Sequence, residues 1–120
     1  MTRKSVLIVD DDLDIREVLS ETLADRGFDV ATAANGLEAL GKLRELSVRP
    51  SVILLDLMMP IMDGWEFRRR QASNPAIANV PVIVLSTLDQ ARAANVSAEA
   101  FLKKPLDFDR LLQLVRQYCR

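Results

Sequence analysis

Three runs of consecutive aliphatic residues, Val6-Leu7-Ile8-Val9, Val52-Ile53-Leu54-Leu55 and Val82-Ile83-Val84-Leu85, each stop at acids or hydroxyls. The first ends at Asp10-Asp11-Asp12, the second at Asp56 and the third at Ser86-Thr87. Runs of this kind read as buried strands. The stretches between them carry apolar residues at helical spacing, the pattern of βαβ units that build a parallel sheet. Ligands of open α/β sheets sit just beyond the carboxyl ends of parallel strands, so acids gathered there predict a centre for a cation or a phosphoryl group.

Five such units fit the chain. After the first strand, Ile15, Val18, Leu19, Thr22 and Leu23 recur at helical spacing until Gly27, a natural helix stop. A second strand is expected over about 28–33. Asn35 then caps a helix with Leu37, Leu40, Leu43 and Leu46 on its inward face, and Pro50 closes the connection to the third strand. The loop that follows Asp56 contains Met58, Met59 and Met62, expected as its apolar lining, and leads into a helix over 65–72. Within that helix, Arg68-Arg69-Arg70 reads as a solvated face. A fourth helix over 88–95, about a turn short, precedes a fifth strand over 100–103. Asp107 caps a last helix that turns Phe108, Leu111, Leu112, Val115 and Tyr118 inward.

Bulk properties narrow the function classes. A chain of 120 residues with 49% hydrophobic and 28% charged residues predicts one compact domain over 1–120 and argues against disorder. A net charge of -1 offers no broad basic surface, so neither direct nucleic-acid binding nor attachment to acidic lipid is expected. No apolar stretch approaches membrane-spanning length and no signal-peptide core is visible. The single cysteine, Cys119, provides neither a disulfide framework nor a cysteine metal site, which suits a reducing cytoplasm. With no histidine in the chain, carboxylates, hydroxyls and lysines must carry any chemistry.

An aspartate between a strand and a helix is usually a cap, and Asp11 or Asp12 fits that role. A cap accounts for one acid, not for Asp10, Asp11 and Asp12 in succession with Asp56 at an adjacent strand end. Each close pair of carboxylates costs from about 1 kcal/mol in bulk water to about 4 kcal/mol at an effective dielectric near 20. A hard divalent cation such as Mg²⁺ relieves that repulsion. Lys104, followed by Pro105, ends the fifth strand at the same sheet edge and is placed to compensate a phosphoryl oxygen. Pro105 can hold a cis bond in such a turn. Ser86 can donate its hydroxyl to another oxygen.

These pieces together resemble the response-regulator receiver domains of bacterial two-component signalling, stand-alone chemotaxis receivers included. The resemblance rests on Val9-Asp10-Asp11, Leu55-Asp56-Leu57-Met58-Met59-Pro60, Met62-Asp63-Gly64, Ser86 and Lys104-Pro105, in order along the whole chain. It implies a flavodoxin-like doubly wound sheet of five parallel strands in the order 2-1-3-4-5 with five helices. It further implies a switch rather than an enzyme in the ordinary sense. Asp56 would take a phosphoryl group from a histidine kinase or histidine phosphotransfer protein and so change affinity for a downstream protein. Asp10, Asp11, Asp56 and the main-chain carbonyl of Met58 would hold Mg²⁺, with Asp10 acting mainly through water. Lys104 would contact Asp56 or its phosphoryl group, and the backbone of Met58 and Thr87 would face that group. Ser86 would be the switch hydroxyl and Phe101 the aromatic that follows it.

The sequence also departs from the family. The interval between Ser86 and Lys104 is short, and 87–99 lacks the usual Gly-Ala pair before strand five, which bears on output through that face. Thr87 stands where a small residue is common and is expected to crowd the phosphoryl pocket. Apolar Met58 and Leu88 beside the site predict a long-lived acyl phosphate, since neither orients water. Three readings compete: a pseudo-receiver that docks partners without phosphorylation, a haloacid-dehalogenase-type phosphatase using Asp10 and Asp12, and a flavin mononucleotide binder. The phosphatase needs more chain, and acids after strand one would repel a flavin phosphate.

Overall fold

The computed structural model describes residues 4–45, 49–87 and 96–119. Five parallel strands, β1 (Ser5–Val9), β2 (Asp29–Ala33), β3 (Val52–Asp56), β4 (Val82–Ser86) and β5 (Ala100–Lys103), form one sheet in the order β2-β1-β3-β4-β5. The helices among the described residues are α1 (Leu13–Asp25), α2 (Gly36–Glu45), α3 (Gly64–Ala72) and the C-terminal α4 (Phe108–Tyr118). The short helix expected over 88–95 lies outside the described residues, as does Leu46.

The aliphatic runs are uninterrupted because the sheet is covered on both faces. Successive side chains alternate between two cores. Leu7, Val9, Ile53, Leu55 and Val84 meet Leu43 of α2 and Phe67 of α3 on one side. Val6, Ile8, Leu54 and Ile83 meet Leu19 and Leu23 of α1 and Leu111 and Val115 of α4 on the other. The central strands β1, β3 and β4 are buried almost throughout, whereas the edges β2 and β5 are mixed.

Helix starts follow the caps read from sequence. Asp12 accepts the amides of Asp14 and Ile15, Asn35 that of Glu38, and Asp107 that of Arg110. Gly27 ends α1 at a φ of 91°, a left-handed turn that glycine adopts without strain. The inward faces need correction. Val18, Leu37 and Phe108 are exposed, while Ala39 and Leu114 are buried instead. Val18, Leu37 and Phe108 sit at stripe margins or in first turns, where a helix lifts away from the sheet. The second strand starts at Asp29 because Phe28 still bonds back to Leu23, and α3 starts at Gly64. Met62 and Met59 are buried or half-buried, but Met58 is exposed, so the loop lining is partial.

Candidate phosphoryl-transfer centre

Register brings the acids together. Val9 lies beside Leu55, so the next residues, Asp10 and Asp56, leave adjacent strands side by side, and Asp56 lies beside Leu85, one residue before Ser86. Carboxylate oxygens of Asp10, Asp11 and Asp56 lie within 4.8 Å of one another. Asp10 and Asp56 are buried and Asp11 is exposed, which gives the cluster a dry floor and a wet mouth.

Each buried acid is held by local structure. Asp10 accepts the Asp12 amide on Oδ1 at 2.9 Å and the Lys104 ammonium on Oδ2 at 2.7 Å. Its carbonyl accepts Nη1 of Arg16 at 2.7 Å and its amide donates to the Ala33 carbonyl at 3.1 Å. Arg16 is a contact that sequence reading did not find, since a cation one turn into a helix carries no distinctive signal. Lys104 makes the expected ion pair with Oδ1 of Asp56 at 3.6 Å, and lies closer still to Asp10. The Lys104 amide donates to the Ser86 carbonyl at 2.9 Å, which ties the β5 exit to the β4 exit, and the Lys104-Pro105 peptide is cis.

The Asp56 carboxyl is pushed up from 3.8 to about 6. Burial is the main cause, and the neighbouring charges of Asp10 and Asp11 add to it. The Lys104 ammonium and a hydrogen bond from the Met58 backbone pull the other way without prevailing.

The loop after β3 closes the floor. Asp63 caps α3 through the Glu66 amide at 2.9 Å, and the Gly64 amide donates to the Leu57 carbonyl at 2.9 Å. A Cβ on Gly64 would lie 2.6 Å from the Asp56 carbonyl oxygen and 2.8 Å from the Leu57 Cα, so only glycine lets α3 approach. The capping role of Asp63 was not read from sequence, although an aspartate followed by glycine at a helix start signals it.

Ser86 is buried at the end of β4, and Thr87 beyond it is exposed. Phe101, on the edge strand, is exposed and pairs in register with Val84. The Arg68-Arg69-Arg70 run is absorbed by its own surroundings. Arg69 and Arg70 pair with Glu66, and Arg68 donates to the Ser97 carbonyl. Leu88 lies outside the described residues.

The donor set fits Mg²⁺. It consists of hard oxygens, and three carboxylates against one ammonium leave an excess negative charge that a small divalent cation balances. Histidine and thiolate donors, which would favour softer metals, are absent from the cluster.

A parallel five-stranded sheet with a lysine-completed acidic cluster at its carboxyl edge defines a class of small open α/β domain whose site lies beyond the strand ends. A profile of the response regulator receiver domain matches residues 6–116, and the chain belongs to that family. The chemotaxis response regulator CheY4 of Vibrio cholerae superposes with a TM-score of 0.88 at 35% identity, covering 98% of this chain and 99% of that one. Protein PilG of Pseudomonas aeruginosa is 32% identical over 94% of this chain and 85% of its own length. The DNA-binding dual master transcriptional regulator RpaA of Synechocystis is 33% identical over 96% of this chain but only 48% of its own length. The chain spans about half the length of several curated relatives that it matches. Among the described residues, no helix is long and apolar enough to cross a membrane.

Proposed function

We propose that Asp56 accepts a phosphoryl group from a phosphohistidine on a histidine kinase or histidine phosphotransfer protein, and that the acyl phosphate alters affinity for a downstream protein. The observation that carries this reading is the Asp56 carboxylate within 4.8 Å of those of Asp10 and Asp11 and 3.6 Å from the Lys104 ammonium. A carboxylate oxygen of Asp56 attacks phosphorus as the phosphorus–nitrogen bond of the donor breaks, and the imidazole leaves with that electron pair. Lys104 and the Ser86 hydroxyl then compensate charge on the equatorial oxygens, helped by the backbone at Met58 and Thr87. Mg²⁺ held by Asp10, Asp11, Asp56 and the Met58 carbonyl would supply the remaining positive charge for those oxygens.

Lys104 is the moving part. In the structure it spans Asp10 and Asp56, so a phosphoryl group on Asp56 competes with Asp10 for the same ammonium. The resulting pull on β5 and the Ser86 exit biases one of two conformations, with Phe101 following Ser86.

Incubation with Mg²⁺ and acetyl phosphate, followed by intact-protein mass measurement, tests the reading. A gain of one phosphate that disappears in Asp56→Ala is the expected result. No gain with any donor would assign the domain to docking without phosphorylation. Turnover of phosphate esters that depends on Asp10 would make it a phosphatase.

A further inference from the structure

The connection from Asp56 to α3 turns sharply at Ile61. The Met62 amide donates to the Pro60 carbonyl at 2.7 Å, and Ile61 between them holds a φ of 69°. A three-residue turn of that hand is rare and strained, more so at a β-branched residue, and it persists only where the surroundings hold it. Ile61 does not do the holding, since it is 80% exposed. Met62 does: it is buried in the core beneath α2, and its carbonyl accepts the Gly36 amide at 2.9 Å. Gly36 opens α2, so the loop is fastened by a helix that contributes no carboxylate to the acidic cluster.

The fit at Gly36 is close. A Cβ there would lie 2.7 Å from the Met62 Cγ and 3.0 Å from the Met62 carbonyl oxygen. Asn35 fixes the turn from the helix side: it is buried, its Oδ1 accepts the Glu38 amide at 2.9 Å and its carbonyl accepts the Ala39 amide at 3.0 Å. The same turn begins at Ala33, whose carbonyl accepts the Asp10 amide at 3.1 Å. Residues 33–36 thus strap two sides of the centre to each other, Asp10 at the β1 exit and the loop that carries Met58. Within that loop, the Met58 backbone makes a hydrogen bond to the Asp56 carboxylate.

We propose that Gly36 is a positioning residue for divalent-cation binding: by holding Met62 it sets where Met58 stands relative to Asp10, Asp11 and Asp56. This inference rests on the reading of those residues as the Mg²⁺ site. Mg²⁺ demands near-ideal octahedral geometry, so a small displacement of the loop weakens the site without removing a ligand.

Calorimetric titration of Mg²⁺ into the metal-free full chain, with urea denaturation of the same samples, tests the proposal. Gly36→Ala is expected to raise the Mg²⁺ dissociation constant about tenfold. Two other glycines have open space where a Cβ would go, and they separate that effect from a change in stability. Gly41→Ala, within α2 itself, should stabilise the domain, and Gly27→Ala, at its φ of 91°, should destabilise it. Both should keep the wild-type dissociation constant. In the wild type the coupling must also run backwards: Mg²⁺ is expected to slow hydrogen exchange at the Gly36 amide more than at the Ala39 amide, which bonds to Asn35 at the head of the same helix. That measurement decides alone if Gly36→Ala does not fold. An unchanged dissociation constant in Gly36→Ala, an equal loss in Gly41→Ala or Gly27→Ala, or exchange at Gly36 that ignores Mg²⁺ each overturns the proposal. Absence of Mg²⁺ binding in the wild type, or binding that survives Asp10→Asn with Asp11→Asn, would instead overturn the reading of the acids as the cation site, and this proposal with it.

Discussion

Asp56 carries a cost that its neighbours impose. Its carboxyl is raised from 3.8 to about 6, so the folded state binds that proton more tightly than the unfolded chain does. Below the unfolded value both states are protonated and nothing is lost. As pH rises through 6, ionisation opposes folding by about 3 kcal/mol at most. Asp56→Asn should therefore leave stability nearly unchanged near the unfolded value and raise it by roughly 1–3 kcal/mol in metal-free buffer above the folded one. Urea denaturation across that range checks this, and a stability gain independent of pH would contradict it. Ile61 pays a different cost: it is 80% exposed and holds a φ of 69°, a left-handed conformation that a β-branched residue rarely adopts. Ile61→Asn, whose side chain tolerates that conformation, is expected to stabilise the domain by about 1 kcal/mol by the same measurement. Met58 exposes an apolar side chain beside Asp56 that offers attacking water no hydrogen bond. Met58→Glu should accordingly speed phosphate release from the phosphorylated domain, and an unchanged decay would rule out that role for Met58.

At the scale of elements, the β3–α3 connection determines where the nucleophile sits. Gly64→Ala forces a Cβ into the Asp56 carbonyl and the Leu57 backbone, which cannot swing aside as a side chain could. A loss of about 2 kcal/mol or more is expected, together with slower labelling by acetyl phosphate, because the Asp56 main chain must shift. Retention of both stability and labelling rate would show that α3 can move away without consequence. The strands were legible in the sequence because both faces of each central strand are covered, which forces continuous aliphatic runs. The acids were legible because carboxylates at strand ends serve neither core. Helix faces were less so: Val18, Leu37 and Phe108 continue an apolar period that the structure does not bury. The preference of Lys104 for Asp10 could not be read either, since both carboxylates lie within reach of one flexible ammonium.

At the scale of the molecule, the acidic centre is a fault that a ligand can mend. A cation that binds only the folded state stabilises it by mass action, by about 2.7 kcal/mol at a hundredfold excess over its dissociation constant. Mg²⁺ is thus expected to raise the thermal midpoint of the wild type and leave an Asp10→Asn, Asp11→Asn variant nearly flat, as followed by circular dichroism. Equal shifts in both proteins would show that the ion acts elsewhere. The sheet that carries this centre ends in two short strands of mixed burial, β2 opening on exposed Asp29 and β5 closing on exposed Lys103. An open sheet is a template for strand addition by another chain, and charge at short edges is what discourages it. The centre sits at the carboxyl edge of this open sheet, and exposed charges such as Asp29 and Lys103 on its short lateral strands are of the kind that discourages strand addition there.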